Sequence, residues 1–256
     1  MKALVCYKWV PDEADIVVDP STKTLNMNKV KFKVSEYDRN AIELGVSLKE
    51  SNGFTVESLT IGKNVKPSTT DVLARGIDKA YYLEAEELDS SAVAKVIVEA
   101  AKKMGDVDLI ICGEGSGDQY SQQVGARVAA LLDFQLVSYV SSFKVEGESY
   151  VAERKLEDGV EVVKTQGPTV VTVLSDINTP RIPGMRQILS AKKKPAETLT
   201  LEGLGISADQ LVTGLKVISV GPSIQERKQI RLNANGESVK EAVGKLVEQL
   251  KANKDI

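Results

Sequence analysis

The chain has 256 residues, 33 basic and 36 acidic for a net charge of -3, with 42% hydrophobic and only 5% aromatic residues. A near-neutral balance disfavours a nucleic-acid module, and a Val, Ile, Leu and Ala-rich composition suits buried parallel strands under helices. Histidine is absent and the two cysteines are Cys6 and Cys112, which removes His-based triads, dyads and relays, a Cys₄ zinc site and a disulfide framework.

No run of 18 apolar residues occurs, so no membrane span is expected. The first residues, MKALVCYKWV, run into a charged stretch too polar for a secretory leader. Sparse cysteine suits a reducing compartment, so a cytoplasmic location is expected.

Residues 3–7 (ALVCY) read as a short buried strand, followed by a loop over 11–34 with extended pieces at 16–18 and 30–34. Ser35, three residues before Asp38, resembles the start of a capping box for a helix over 38–50. A strand over 54–61, a helix over 68–75 closed by Gly76, a strand over 79–83 and a helix over 90–104 follow. Next come a strand over 107–112, a helix over 122–132 and a strand over 135–140. Strand and helix alternate throughout, which predicts a doubly wound α/β fold on a mostly parallel sheet.

After residue 140 the pattern changes. Residues 142–147, 149–154 and 160–164 alternate and are separated by turn residues, as in an antiparallel hairpin insertion. Residues 168–174 read as a buried strand rejoining the sheet. From about residue 177 prolines recur and a Lys192–Lys194 run, read as solvated surface, stands before a final helix. Ser238 and Glu241 form its capping box, and Val239, Ala242, Val243, Leu246, Val247 and Leu250 share one stripe. The predicted organisation is a nucleotide-binding domain over 1–190 and an extended C-terminal arm over 191–256, ending in a helix that packs on its own domain or on a partner subunit.

The segment GEGSGDQYSQQVG carries the clearest chemistry. It leaves a strand's carboxyl end and enters a helix, where open α/β sheets bind ligands. Gly113, Gly115 and Gly117 let a ligand approach the backbone. Ser116, Ser121, Gln122 and Gln123 add neutral donors near a helix start that favours anions. The spacing is neither the dinucleotide fingerprint nor a P-loop. A nucleotide phosphate site and an empty glycine-rich turn both fit. A second loop, Cys6 to Asp12, leaves the first strand. Cys6 reads as a small core residue and Lys8 as a surface cation or a phosphate ligand.

The segments CYKWVPDE, VSEYDRNAIELGVSLKE, DLIICGEGSGDQYSQQVGARVAALL, ERKLEDG and INTPRIPGMRQILSAKKKP stand in this order along almost the whole chain. In that order the sequence resembles the electron transfer flavoprotein β subunits, most of all the Fix-type branch. The resemblance implies a Rossmann-like domain paired with an α subunit that carries most of one FAD. It implies a second nucleotide on this chain, AMP as in simple carriers or a second FAD as in electron-bifurcating members. It puts that nucleotide against Cys6 and Lys8, against Ser35, Glu36, Tyr37 and Asp38, near Ile61, and along Gly113, Glu114, Gly115, Ser116, Gly117, Asp118, Gln119, Tyr120, Ser121, Gln122, Gln123 and Val124. It also makes the stretch of Ile182, Met185 and Ile188 a docking loop for a flavin dehydrogenase, with a quinone oxidoreductase or ferredoxin-like protein as acceptor. The chain departs from many relatives in carrying Lys155 where a Glu follows the Glu153-Arg154 pair, and in having few acidic residues in the loop.

The implied activity is electron carriage from a dehydrogenase through FAD, with redox activity arising only beside the α subunit. Two other readings stay open from the residues: a non-redox ATP- or AMP-binding regulator on the same fold, and an NAD-dependent dehydrogenase. The second lacks both the dinucleotide fingerprint and a residue set for proton transfer.

Overall fold

The computed structural model describes residues 1–86, 88–212, 215, 217–223, 230–232, 236 and 238–256; parts of the predicted arm lie outside these. The first strand, β1 (Lys2–Cys6), alternates its side chains between two layers. Ala3 and Val5 face one layer and Leu4 and Cys6 the other, as a strand covered on both faces requires.

Two short ladders follow in the predicted loop. β2 (Trp9–Pro11) and β3 (Val17–Val18) precede β4 (Leu25–Asn26) and β5 (Phe32–Val34). β2 pairs antiparallel with β5, and β3 with β4. Together they form a flap separate from the main sheet.

The alternating run then appears close to its predicted boundaries: α1 (Glu36–Asn52), β6 (Thr55–Gly62), α2 (Ser68–Arg75), β7 (Lys79–Glu84), α3 (Ser90–Met104), β8 (Leu109–Gly113) and α4 (Val124–Leu132). Each helix buries one apolar stripe against the sheet. Ala41, Ile42, Val46 and Leu48 of α1 pack on the layer that holds Ala3 and Val5. Ala94, Ile97 and Ala101 of α3 pack on the layer that holds Leu4 and Cys6. The Asp89 carboxylate starts α3 by accepting the N–H groups of Ser91 and Ala92 at 2.9 and 2.8 Å.

The remaining strands are β9 (Gln135–Glu146), β10 (Ser149–Lys155), β11 (Val160–Gln166), β12 (Thr169–Val173) and β13 (Ala196–Leu199), with α5 (Met185–Ala191) before the last. Among the described residues the main sheet has nine strands in the order β11-β10-β9-β12-β8-β1-β6-β7-β13. It is parallel from β9 to β13 and antiparallel only across β9, β10 and β11. The architecture is the mixed α/β, Rossmann-like one that the alternation predicts.

Three differences from the sequence reading have physical causes. The strands expected at 135–140 and 142–147 are one strand, β9, whose first half pairs with β12 and whose second half pairs with β10. Tyr139 adopts a φ of 60° at the exchange, a bulge that bends the strand without ending it. Residues 196–211, read as the beginning of an arm, belong to the body instead. β13 pairs with β7, and Leu199, Leu204, Ile206 and Leu211 are buried. They come from an edge strand and short 3₁₀ turns, which carry no helical or strand period to read. Lys194 is no free surface cation: its ammonium donates to the carbonyls of Leu73 and Ile77 at 3.0 and 2.7 Å, closing the carboxyl end of α2.

The final helix, α6 (Val239–Asn253), starts at Ser238 through the predicted reciprocal box. The Ser238 hydroxyl accepts the Glu241 N–H at 3.3 Å and the Glu241 carboxylate accepts the Ser238 N–H at 2.9 Å. No residue of α6 is buried, and Val239, Val243, Leu246 and Val247 of the apolar stripe are exposed. Among the described residues no helix is long and apolar enough to cross a membrane.

The approach of α1 to the sheet depends on Gly45. A Cβ there would lie 2.8 Å from Val5 and 3.0 Å from Val56. Gly45→Ala is therefore expected to destabilise the fold by about 1–3 kcal/mol, read as a lower midpoint in urea denaturation with an unchanged slope.

Candidate functional site

β1 lies between β6 and β8. The chain leaves β1 through α1 to one side and reaches β8 through α3 from the other. The carboxyl ends of β1 and β8 therefore flank a topological switch point, the place where open sheets bind ligands. A cleft of about 590 Å³ opens there.

Its rear wall is tied together by one carboxylate. Asp38, in the first turn of α1, is only 6% exposed. Its two oxygens accept the Lys8 N–H at 2.8 Å and the Gly113 N–H at 3.2 Å, joining the exits of β1 and β8. Burial pushes its pKa up from 3.8 to about 7, against the pull of those two N–H groups. Gly113 has no room for a side chain, because a Cβ would stand 2.6 Å from the Asp38 carboxylate and 2.9 Å from the Tyr37 backbone. Ser35 stands at the helix start without making the expected cap bond. Its hydroxyl instead accepts the Gly117 N–H at 3.2 Å, so the glycine-rich loop takes the group that a capping box would use.

The loop is further braced from outside. A Cβ on Gly115 would fall 2.5 Å from the Tyr120 ring, and Tyr120 packs on Tyr37 with ring centroids 5.1 Å apart. Burial and the neighbouring Glu114 carboxylate push the Tyr120 hydroxyl up to about 12. On the inner side Lys8 pairs with Asp118 at 2.6 Å and donates to the Gln119 side chain at 3.3 Å. Burial opposes ionisation of Asp118, yet Lys8 and the Ser116 hydroxyl hold its carboxyl below the usual range. The Gln123 side-chain oxygen Oε1 accepts the Ser90 hydroxyl at 2.8 Å and the Arg127 guanidinium at 2.9 Å. Gln123 makes no cap bond to α4. The N–H groups of Val124, Gly125 and Ala126 then have no acceptor inside the helix.

Of the residues expected at a nucleotide, Cys6, Lys8, Asp38, Ile61, Glu114, Gly115, Ser116, Asp118, Gln119, Ser121, Gln122, Gln123 and Val124 line the cleft. Ser35, Glu36, Tyr37, Gly113, Gly117 and Tyr120 stand outside the lining. Ser35 and Tyr37 hold the loop from behind through Gly117 and Tyr120, and Glu36 bonds Lys33 at 3.2 Å. Cys6 and Cys112 are free, buried and adjacent at the floor, and the Cys112 contact, with burial, pushes the Cys6 thiol up. That is a core thiol and not a nucleophile.

Sequence reasoning missed Pro11, Met27, Phe32, Leu88, Val93 and Ile97, which also line the cleft. Leu88 and Val93 lie just beyond β7, so the carboxyl-end rule could have found them. Met27 and Phe32 carry no such signal, because their position depends on how the flap folds back.

A family model described as the electron transfer flavoprotein domain matches residues 22–204, more than half of the chain. The chain belongs to the electron transfer flavoprotein family. The family binds flavin and typically works as a heterodimer with an α subunit.

The docking stretch expected of an electron transfer flavoprotein lies elsewhere on the surface. It is partly helical, since Met185 and Ile188 fall in α5. Ile182 is 92% and Met185 73% exposed. Arg181 anchors the stretch to α1 through Glu43 at 2.9 Å and Glu50 at 2.7 Å. Asn40 adds bonds to the Ser175 and Asn178 carbonyls, both at 2.9 Å. Lys155 is paired with Asp176.

Asp38 generates a pH test. With a folded pKa near 7 and an ordinary unfolded value of 3.8, the folded state holds the extra proton between these values. Its contribution to stability therefore falls as pH rises through that window. Asp38→Asn is expected to flatten the stability difference between pH 5 and pH 8 relative to the parent chain, measured by thermal unfolding; an unchanged difference refutes this assignment.

Proposed function

We propose that this chain is the β-type subunit of an electron transfer flavoprotein, of the Fix-type branch, and that its cleft holds the nucleotide portion of a flavin cofactor. The observation that carries this reading is the uncapped start of α4 at a glycine-built loop, at the switch point of the sheet. Three helix N–H groups and the helix dipole favour an anion. Ser121 and Gln122 add neutral donors. Lys8 is already paired with Asp118, so binding a phosphate here rests on oriented N–H groups and not on an unpaired cation.

The magnitudes are adequate. A hydrogen bond to a charged group contributes about 1.5–3 kcal/mol. Three or four of them with a packed base reach the ~8 kcal/mol of a micromolar site. The residues therefore fit FAD, and AMP as the smaller alternative.

FAD, when bound, supplies the electron-transfer chemistry. The chain's own residues would do the rest. The α4 start, Ser121 and Gln122 would hold phosphate. Leu59, Ile61, Val93 and Ile97 would exclude water from a ring. The α subunit would sit over the same end of the sheet and share the cofactor. Residues 1–190 with β13 would form the nucleotide-binding body. The chain beyond Leu211 would be the arm, covering the stripe of α6 on the partner. The Ile182–Ile188 surface would meet a dehydrogenase, and electrons would leave to a quinone- or ferredoxin-linked acceptor.

Purification of the chain with any subunit that accompanies it, followed by nucleotide release, tests this reading. A visible flavin spectrum is expected. Stoichiometric ATP binding with neither flavin nor partner would favour the non-redox regulator. Ser121→Ala is expected to weaken nucleotide binding by about tenfold or more in calorimetry, the value of one hydrogen bond to a charged group. Truncation after Val212 is expected to leave the sheet folded and abolish co-purification with the α subunit.

A further inference from the structure

The floor of the cleft carries two thiols side by side. β1 and β8 run parallel with Ala3 opposite Leu109, Leu4 opposite Ile110 and Val5 opposite Ile111. One step further, the same register sets Cys6 against Cys112. Both side chains face the layer that holds Leu4 and Ile110. Both line the cleft and are reached through it, at 7% and 6% exposure. They are the only two cysteines of the chain, and both are free.

The surroundings favour one use of this pair over the others. Attack on a peroxide or a carbon electrophile needs a thiolate, and burial with the Cys112 contact holds Cys6 in the thiol form. A direct disulfide brings two Cβ atoms to about 3.5–4.5 Å, whereas neighbouring strands hold opposite residues about 4.8 Å apart. A single atom placed between the sulfurs spans that wider gap. Among the described residues no group of three or more His, Cys, Asp or Glu side chains could hold a metal ion, which argues against ions that need four or six ligands. Copper(I) is a soft ion that thiolates select, and two sulfurs in line satisfy its coordination.

We propose that Cys6 and Cys112 together form a two-coordinate site for a soft monovalent ion of the copper(I) class, at the floor of the cleft and under the start of α4. Binding breaks two S–H bonds and forms two S–Cu bonds. Both protons pass to solvent through the cleft, and copper stays monovalent, so no oxidant or reductant is consumed. The bis-thiolate complex carries one net negative charge. The fold supplies a counterpart for it: a Cβ on Gly125 would lie 3.9 Å from the Cys112 Cβ, so Cys112 packs under the first turn of α4. The positive end of that helix favours an anion, and its first N–H groups have no acceptor inside the helix.

The test offers the full chain, with any subunit that co-purifies, copper(I) as its coloured bicinchoninate complex under anaerobic conditions. The parent is expected to remove one copper ion per chain from the dye. Altering a residue behind a metal ligand weakens binding about 10–100-fold, so Cys6→Ser and Cys112→Ser, each removing a ligand itself, are each expected to weaken it by about 100-fold or more. The double variant is expected to take none, and circular dichroism checks the fold of each. X-ray absorption at the copper edge of the loaded parent is expected to show two sulfur neighbours in line; this measurement needs no variant and decides the matter if a serine variant does not fold. A parent that takes no copper overturns the proposal. So does uptake that survives both substitutions, which places the ion elsewhere on the chain. Loss on substituting one cysteine but not the other, or a single sulfur neighbour in the absorption spectrum, overturns the paired site as well.

Discussion

A single buried carboxylate holds the mouth of the sheet together. Asp38 reaches from the first turn of α1 to the backbone N–H groups of Lys8 and Gly113, and so fixes where β1 and β8 release the chain. That brace fixes the backbone of the two loops beneath the Lys8–Asp118 ion pair that joins them further out. The brace also explains a glycine: any Cβ at position 113 would displace the carboxylate. The cost is a desolvated acid whose pKa sits near 7, tolerated because an unmade bond to either N–H would leave a buried donor unpaired.

The cleft and the exposed stretch that follows Arg181 share α1. Its amino end carries Ser35 and Asp38, which hold the glycine-rich loop, while Asn40, Glu43 and Glu50 further along hold Asn178 and Arg181. One rigid helix thus sets the geometry of two surfaces. Its polar contacts come largely from the buried side chains Asp38, Asn40 and Glu43, and its apolar contacts from Ala41, Ile42, Val46 and Leu48. The family match runs from residue 22, before α1, to residue 204, past β13.

Much of the fold was legible from residue periodicity. α3 was readable to the residue because Asp89 and Gly105 bracket an apolar stripe, and β1 and β8 because continuous apolar runs end at loop residues. β9 was not, since a strand that changes partner at Tyr139 looks like two strands with a break. β13 was hidden because an edge strand between Pro195 and a 3₁₀ turn has no period of its own. In the site, the loop from Gly113 to Val124 was legible from its glycines and its position after a strand. The roles within it were not. Ser35 was readable as a cap, but the distant Gly117 N–H competes for its hydroxyl. Lys8 and Asp118 are 110 residues apart in sequence, and only the fold brings them to 2.6 Å.

The order of strands in the sheet has a consequence for how a nascent chain acquires it. β12 lies between β8 and β9 yet is made after β9, β10 and β11. The hairpin region must therefore wait on the ribosome, unattached to the first half of the sheet, until residues 169–173 emerge and slot between them. At the opposite border, β7 keeps an open edge until Ala196–Leu199 arrives to cover it. Such late, long-range closures slow folding and leave sticky edges in the interval, so production of this chain should benefit from slow translation or from holdase chaperones.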